Sequence, residues 1–181
     1  GNRVAATLSI NAPFGAAMVA GATGVVLNNE MNDFVIALGA TNLYGLTGSA
    51  PNLVAPGKRP LSSMSPTFVE DARGVLVLGT PGGSRIISMV LLGLLDHLHH
   101  ADVDPARVVA LPRYHHQYQP DRIEFELGAF DAAWAEALRA KGHTVQEGRR
   151  RWGNMQSVFV DAVTGEARAA GDPRGRVGVL F

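Results

Sequence analysis

Apolar positions along this chain gather in short runs separated by turn chemistry, with few runs longer than one strand or one helix. Residues 4–10 (Val-Ala-Ala-Thr-Leu-Ser-Ile) read as a strand of small and β-branched residues, with Gly24-Val25-Val26-Leu27 returning in a hairpin or meander. Residues 67–70 and 74–79 flank the polar Asp71-Ala72-Arg73 and predict an antiparallel hairpin. The second of these runs, Gly-Val-Leu-Val-Leu-Gly, is apolar on both faces, which places it inside a sheet covered on both sides. Residues 84–97 are apolar almost all round and predict the most buried helix. Asp102 or Asp104 ahead of Pro105 starts a short helix, and residues 131–141 make a third, closed by Gly142. Strands return over residues 122–127, 156–161 and 166–170, with Val163-Thr164-Gly165 turning between the last two. Strands, then helices, then strands is the order of an α+β layered domain with mainly antiparallel sheet, not of a doubly wound parallel one.

Composition narrows the picture further. A chain of 181 residues suits one domain, and its 16 basic and 16 acidic residues cancel, so no general attraction to nucleic acid or an anionic membrane is expected. The absence of Cys excludes disulfides, a thiol nucleophile and zinc–thiolate sites, yet leaves the compartment open. The longest apolar run, residues 86–95, is broken by Ser88 and Gly93 and is about half of the ~20 residues that span a bilayer. From residue 38 to 57 the chain turns to Gly, Asn, Pro, Ser and Thr, a stretch too long for a simple connector; residues 35–57 are expected to form a lid-like loop.

Three stretches can carry chemistry. In Gly79-Thr80-Pro81-Gly82-Gly83-Ser84 an apolar strand meets an apolar helix through two glycines, which lets backbone N–H groups approach a ligand as an oxyanion hole or phosphate cradle. The alternative is a tight turn with Ser84 as helix cap. No dinucleotide or Walker fingerprint is present. Lys58-Arg59-Pro60-Leu61-Ser62-Ser63-Met64-Ser65-Pro66 offers hydroxyl donors suited to a carboxylate, or is a Ser-rich turn between prolines. Glu30 and Asp33, three apart after Leu27-Asn28-Asn29, can converge on one cation, a metal or a ligand ammonium, or stand as exposed loop acids. No further ligands adjoin them for a metal, and none is expected. The pairs His99-His100 and His115-His116 lack the H-E-x-x-H arrangement, and the first, with His97, suits a helix C-terminus. Asp172-Pro173-Arg174 is expected to be a surface turn rather than a buried ion pair.

In order, Gly1-Asn2 with Thr7-Leu8-Ser9-Ile10-Asn11, the run from Gly24 to Phe34, Pro56-Gly-Lys-Arg-Pro-Leu-Ser-Ser-Met-Ser-Pro-Thr67, Gly79-Thr-Pro-Gly-Gly-Ser-Arg-Ile-Ile87, Pro112-Arg-Tyr-His-His-Gln117 and Asp172-Pro-Arg174 resemble the small subunit of γ-glutamyltransferases, members of the N-terminal-nucleophile hydrolases. Asn32 stands where the family usually has an acid, and the ending at Phe181 is a second departure.

The resemblance implies an αββα sandwich shared with a large subunit cut from the same precursor. This chain would be the small-subunit domain, residues 1–181, without its first strand and nucleophile. The implied chemistry is attack by an N-terminal threonine, expected upstream of Gly1, on a γ-glutamyl amide such as glutathione, and passage of the acyl group to water or an amino-acid or peptide acceptor. It needs no cofactor.

Carried over by position, Asn11, Glu30 and Asp33 take the substrate ammonium, Ser62 and Ser63 its α-carboxylate, and Gly82 and Gly83 form the oxyanion hole. Ser9, where the family usually has threonine, supports the nucleophile, and Tyr44 is a lid tyrosine. The compartment implied is periplasmic or extracellular. The alternatives are a cephalosporin (glutaryl) acylase-type relative or an inactive glutamyl-binding homologue.

Overall fold

The computed structural model describes residues 1–175. The chain divides into two compact units, Gly1–Thr7 with Met64–Phe181, and Leu8–Ser63.

The first unit holds the regular structure. Strand β1 (Thr67–Asp71) turns into β2 (Gly74–Gly79), which leads into helix α1 (Arg85–His99) and helix α2 (Pro105–Ala110). Strands β3 (Tyr114–His115) and β4 (Ile123–Phe125), helix α3 (Ala132–Ala140) and strands β5 (Val145–Glu147), β6 (Gln156–Asp161) and β7 (Ala167–Gly171) follow. The larger sheet runs β1-β2-β6-β7, antiparallel throughout. The smaller runs β3-β4-β5, antiparallel and then parallel. In this second sheet β4 lies within the strand expected over residues 122–127, whereas β3 and β5 lie beyond the sequence expectation, because strands of two and three residues carry no period-two signal.

The interior place predicted for β2 holds: it lies between β1 and β6, with Val75, Leu76 and Leu78 at most 3% exposed. Its inward face joins Ile86, Met89 and Val90 of α1, Val108 and Val109 of α2, and Trp152, Met155 and Phe159 in one core. Gly93 sits where a side chain would press on Leu78, so its small size lets α1 lie close to the sheet. Of the two aspartates offered ahead of Pro105, Asp104 is the cap, its carboxylate accepting from Ala106 N, and Asp131, expected as the first residue of the third helix, caps it instead by accepting from Trp134 N. Helix α1 differs from its expectation on one side, where Ile87, Leu91, Leu95 and Leu98 are exposed at helical spacing. Among the described residues, no helix is long and apolar enough to cross a membrane.

The second unit corrects the expected opening hairpin. Residues 8–11 form no strand, nor do residues 4–7 in the first unit, and residues 24–27 contribute only the single bridge Val19↔Val26. A strand is completed by a neighbour's ladder, and among the described residues none forms along residues 4–11, where Asn29 N donating to the Ile10 carbonyl is an isolated bond. The unit is built from 3₁₀ turns at Gly21–Thr23, Glu30–Asp33 and Ala50–Asn52 and from asparagine side chains that satisfy backbone N–H groups. Asn28 accepts from Glu30 N, Asn29 from Ala12 N, Asn32 from Leu43 N, Asn42 from Tyr44 N and Leu46 N, and Asn52 from Leu61 N.

Candidate active site

In the second unit the Glu30–Asp33 segment is a single 3₁₀ turn. Its three-residue period puts positions i and i+3 in line, so the two carboxyls meet and hydrogen-bond. Burial, then the bond to Glu30, then the charge of Glu30 push the Asp33 carboxyl up to about 6. The Tyr44 hydroxyl is raised as well, by burial first and then by the charges of Asp33 and Glu30, so it stays a neutral donor. It donates to Asn11 Oδ1 at 3.1 Å, while Asn11 Nδ2 donates to the Asn29 carbonyl at 3.1 Å. Asn11 sits at φ +68°, a left-handed backbone that asparagine tolerates better than a branched residue would. Ser9 Oγ accepts from Asn11 N at 2.8 Å and is exposed, a local turn role within this unit.

Asn52 joins two parts of the same unit. Its Nδ2 donates to the Asp33 carbonyl at 2.7 Å, and its Oδ1 accepts from Leu61 N, the residue before Ser62, at 3.1 Å. The stretch from 35 to 57 is therefore ordered by its own contacts, among them Val35 paired with Leu53 and a side-chain ammonium, Lys58 Nζ, on the Pro51 and Leu53 carbonyls. Ser62 is exposed and Ser63 half-buried. Sequence reasoning did not assign Asn52 or Asn42; their signal was the density of Asn in an otherwise uncharged loop.

In the first unit Gly82 (φ +150°) and Gly83 (φ +59°) form the turn from β2 into α1, in backbone regions that favour glycine. Their carbonyls accept from Arg85 N and Ile86 N. Among the described residues their own N–H groups donate to no protein acceptor, as expected for the orphan donors at a helix start. Ser84 is not the helix cap: its backbone is already helical (φ −58°, ψ −24°), and its hydroxyl donates instead to Gln117 Oε1 at 2.6 Å. Thr80, 2% exposed, donates to the Pro81 carbonyl at 2.9 Å and accepts from Asn154 N at 3.1 Å.

Behind this turn, Asp172-Pro173-Arg174 corrects the surface expectation. Asp172 and Arg113 are 1% and 2% exposed and lie 2.5 Å apart, and Arg174 pairs with both Asp172 and Glu126. Burial pushes Asp172 up, but hydrogen bonds from the Arg174 and Met155 amides and the Arg113 guanidinium together hold it below the ordinary carboxylate range. The histidines are structural too. His97 is fully buried with Nε2 2.9 Å from Asp71, and His115 Nδ1 lies 2.7 Å from Ser88 Oγ. Among the described residues, no three His, Cys, Asp or Glu side chains group to hold a metal.

The family profile described as gamma-glutamyltranspeptidase matches residues 1–181. The chain belongs to the gamma-glutamyltranspeptidase family. It is 44% identical over 175 residues to the glutathione hydrolase proenzyme of Escherichia coli K12, covering 96% of this chain but 30% of that protein. The chain thus spans about a third of that relative's length. The gamma-glutamyltranspeptidase of Pseudomonas nitroreducens, solved with L-DON, aligns with a TM-score of 0.87 and 38% identity over 100% of this chain and 94% of that one. The mixed, mainly antiparallel architecture of the chain is that of this family and of the N-terminal-nucleophile hydrolases. A cephalosporin acylase from Bacillus halodurans, 19% identical with a TM-score of 0.69 over 92% of this chain, shares the fold alone.

Proposed function

We propose that this chain is the small-subunit part of a γ-glutamyl hydrolase or transferase, working with a large subunit from the same precursor. The observation that carries the reading is the Glu30–Asp33 pair, two carboxyls brought together in a turn where burial first, and then Glu30, raises Asp33 to about 6. Two adjacent anions in a partly dehydrated turn oppose each other until a cation joins them, and the α-ammonium of a γ-glutamyl group is such a cation. Asn11, with Tyr44 on its Oδ1, completes that end of the substrate site; Ser62 and Ser63 donate to the α-carboxylate. Gly82 and Gly83 supply N–H groups to the oxyanion of the tetrahedral intermediate.

The attacking group in this reading is the hydroxyl of an N-terminal threonine in the segment preceding Gly1, with its own α-amine as base and Ser9 as a supporting hydroxyl. The hydroxyl adds to the γ-carbonyl, the C–N bond breaks, and the base passes the proton to the departing amine. Water or an acceptor amine then takes the acyl group by the reverse sequence. Residues 35–57 act as a lid carrying Tyr44. The exposed apolar residues Val4, Leu8, Phe14 and Met18, and those on the outer face of α1, support association with a larger partner.

The test compares hydrolysis of γ-glutamyl and glutaryl anilides by the full protein, the second lacking the ammonium. Preference for the γ-glutamyl anilide, lost in Glu30→Ala, is the expected result. Faster glutaryl turnover assigns the chain to acylase-type chemistry instead, and tight glutamate binding with no turnover of either marks an inactive binding homologue.

A further inference from the structure

The Gly82–Gly83 turn is held on its helix side by a polar chain that the proposed chemistry leaves unused. Ser84 Oγ lies 2.6 Å from Gln117 Oε1, His115 Nε2 lies 2.8 Å from the same oxygen, and His115 Nδ1 lies 2.7 Å from Ser88 Oγ. The proton positions follow from chemistry. Gln117 Nε2 donates to the Gln119 carbonyl at 2.9 Å, which fixes the amide's orientation, so Oε1 is the atom facing Ser84 and His115. An amide oxygen only accepts, so both Ser84 Oγ and His115 Nε2 carry hydrogens toward it. His115 Nδ1 is then the lone-pair nitrogen and accepts from Ser88. His115 is 6% exposed, and its burial opposes protonation, which keeps this tautomer neutral.

Ser84 and Ser88 are one turn apart on the same face of α1. The His115–Gln117 pair therefore grips the first turn of the helix at two points and fixes its roll. His115 is anchored in turn by β3, opposite Glu124 of β4. Glu124 binds Arg85, between the two serines, with Nη2 to Oε2 at 2.8 Å. On the strand side the turn is held by buried Thr80. The two glycines thus lie between fixed ends, and the roll of the first turn sets where their N–H groups point.

We propose that Gln117 and His115 are positioning residues for the oxyanion donors, acting through Ser84 and Ser88 on the aim of the Gly82 and Gly83 amides. The inference rests on the functional reading above. Donors that meet charge only in the transition state affect turnover and not ground-state binding, which separates this role from a merely structural one.

The experiment uses the full protein and its variants Gln117→Leu, Gln117→Glu and Ser84→Ala. It reads kcat/KM on a γ-glutamyl anilide and the Ki of L-glutamate. Gln117→Leu and Ser84→Ala are expected to lower kcat/KM about 10- to 100-fold, a fraction of the loss of an oxyanion donor, with Ki held within about twofold. Gln117→Glu keeps an acceptor oxygen for both partners but sets its second oxygen against the Gln119 carbonyl, so it is expected to recover only part of the loss, with kcat/KM above that of Gln117→Leu.

Unchanged kcat/KM in Gln117→Leu, or a parallel change in kcat/KM and Ki, overturns the inference. If Gln117→Leu does not fold, Ser84→Ala, the smaller change, decides by the same criteria. A wild-type protein inert toward the anilide overturns the functional reading and the inference together, whereas an active wild type with an indifferent Gln117→Leu overturns the inference alone.

Discussion

The raised Asp33 carboxyl makes ligand affinity depend on pH in a specific way. With Asp33 at about 6 in the free protein, its carboxyl is ionised above that pH and protonated below it. On the proposed reading a glutamate ligand, which keeps its ammonium across pH 4.5 to 8, binds best with Asp33 ionised and must expel its proton at lower pH. If the bound ammonium returns Asp33 to its ordinary 3.8, the Ki of glutamate worsens about tenfold per pH unit below 6 and by about a hundredfold in all, and is flat above 6. Glu30→Gln removes the neighbouring charge but leaves burial, the largest cause of the shift, so the inflection is expected to fall only part of the way toward the ordinary value. The assay is competitive inhibition by glutamate at constant ionic strength across this range, with a γ-glutamyl anilide as reporter. A Ki flat from pH 4.5 to 8 in the wild type, or an inflection that does not move in Glu30→Gln, refutes the reasoning.

Two further outcomes concern stability and order. Asp172→Ala leaves the 2%-exposed Arg113 guanidinium without its carboxylate and the Met155 and Arg174 amides without their acceptor, and should cost about 3–5 kcal/mol in urea unfolding. Arg3→Ala, which breaks the exposed pair with Glu70, should cost under about 0.5 kcal/mol, and equal losses in the two would discard the burial argument. Because Asp172 is held low, its contribution is fully present above the unfolded value and is lost as pH falls through the folded one. Asn52→Ala unties the Asp33 carbonyl from Leu61 and should speed proteolytic cutting within residues 35–57, with glutamate slowing the cut in wild type; equal rates with and without glutamate would argue against a lid.

What the sequence made legible was local. The β1–β2 hairpin and α1 follow from apolar runs and turn residues alone, and the start of α2 from an aspartate ahead of Pro105, although choosing Asp104 over Asp102 took the structure. The Glu30–Asp33 convergence was readable from the spacing, although the cause is a 3₁₀ turn rather than the end of a strand. The Asp172-Pro173-Arg174 turn was misjudged because its burial is decided by Arg113 and Glu126, 59 and 48 positions distant from their partners. Ser84 was open to a cap reading because its φ/ψ and its Gln117 partner, 33 positions on, are both tertiary facts. The strand expected at residues 4–10 failed for a like reason, since β-branched residues favour a pleated ladder but do not supply its other side.

The two units differ in what holds them, and that difference bears on the chemistry. The first has a packed core around Leu76, Met89 and Phe159, and the turn that would meet the oxyanion is mounted on it. In the second, Phe34 and Val35 are the buried apolar side chains of the core, while Phe14, Ile36 and Leu38 are exposed; its order rests on asparagine–amide hydrogen bonds of about 0.5–1.5 kcal/mol each. Into this lightly held unit the chain places a carboxyl pair that repels itself at neutral pH. Asp33 is raised relative to the unfolded chain, so between about 4 and 6 the folded state holds more protons, and stability falls as pH rises through that window. On the proposed reading an ammonium ligand reverses the penalty by binding the folded, ionised pair, so filling the site and firming the unit would be one linked equilibrium. On the proposed reading the same argument accounts for the acids in the second unit and the Gly82–Gly83 turn in the first: a charge pair that would wait for its partner is tolerated where structure can yield, whereas amides that would meet a transient charge need a mount that does not.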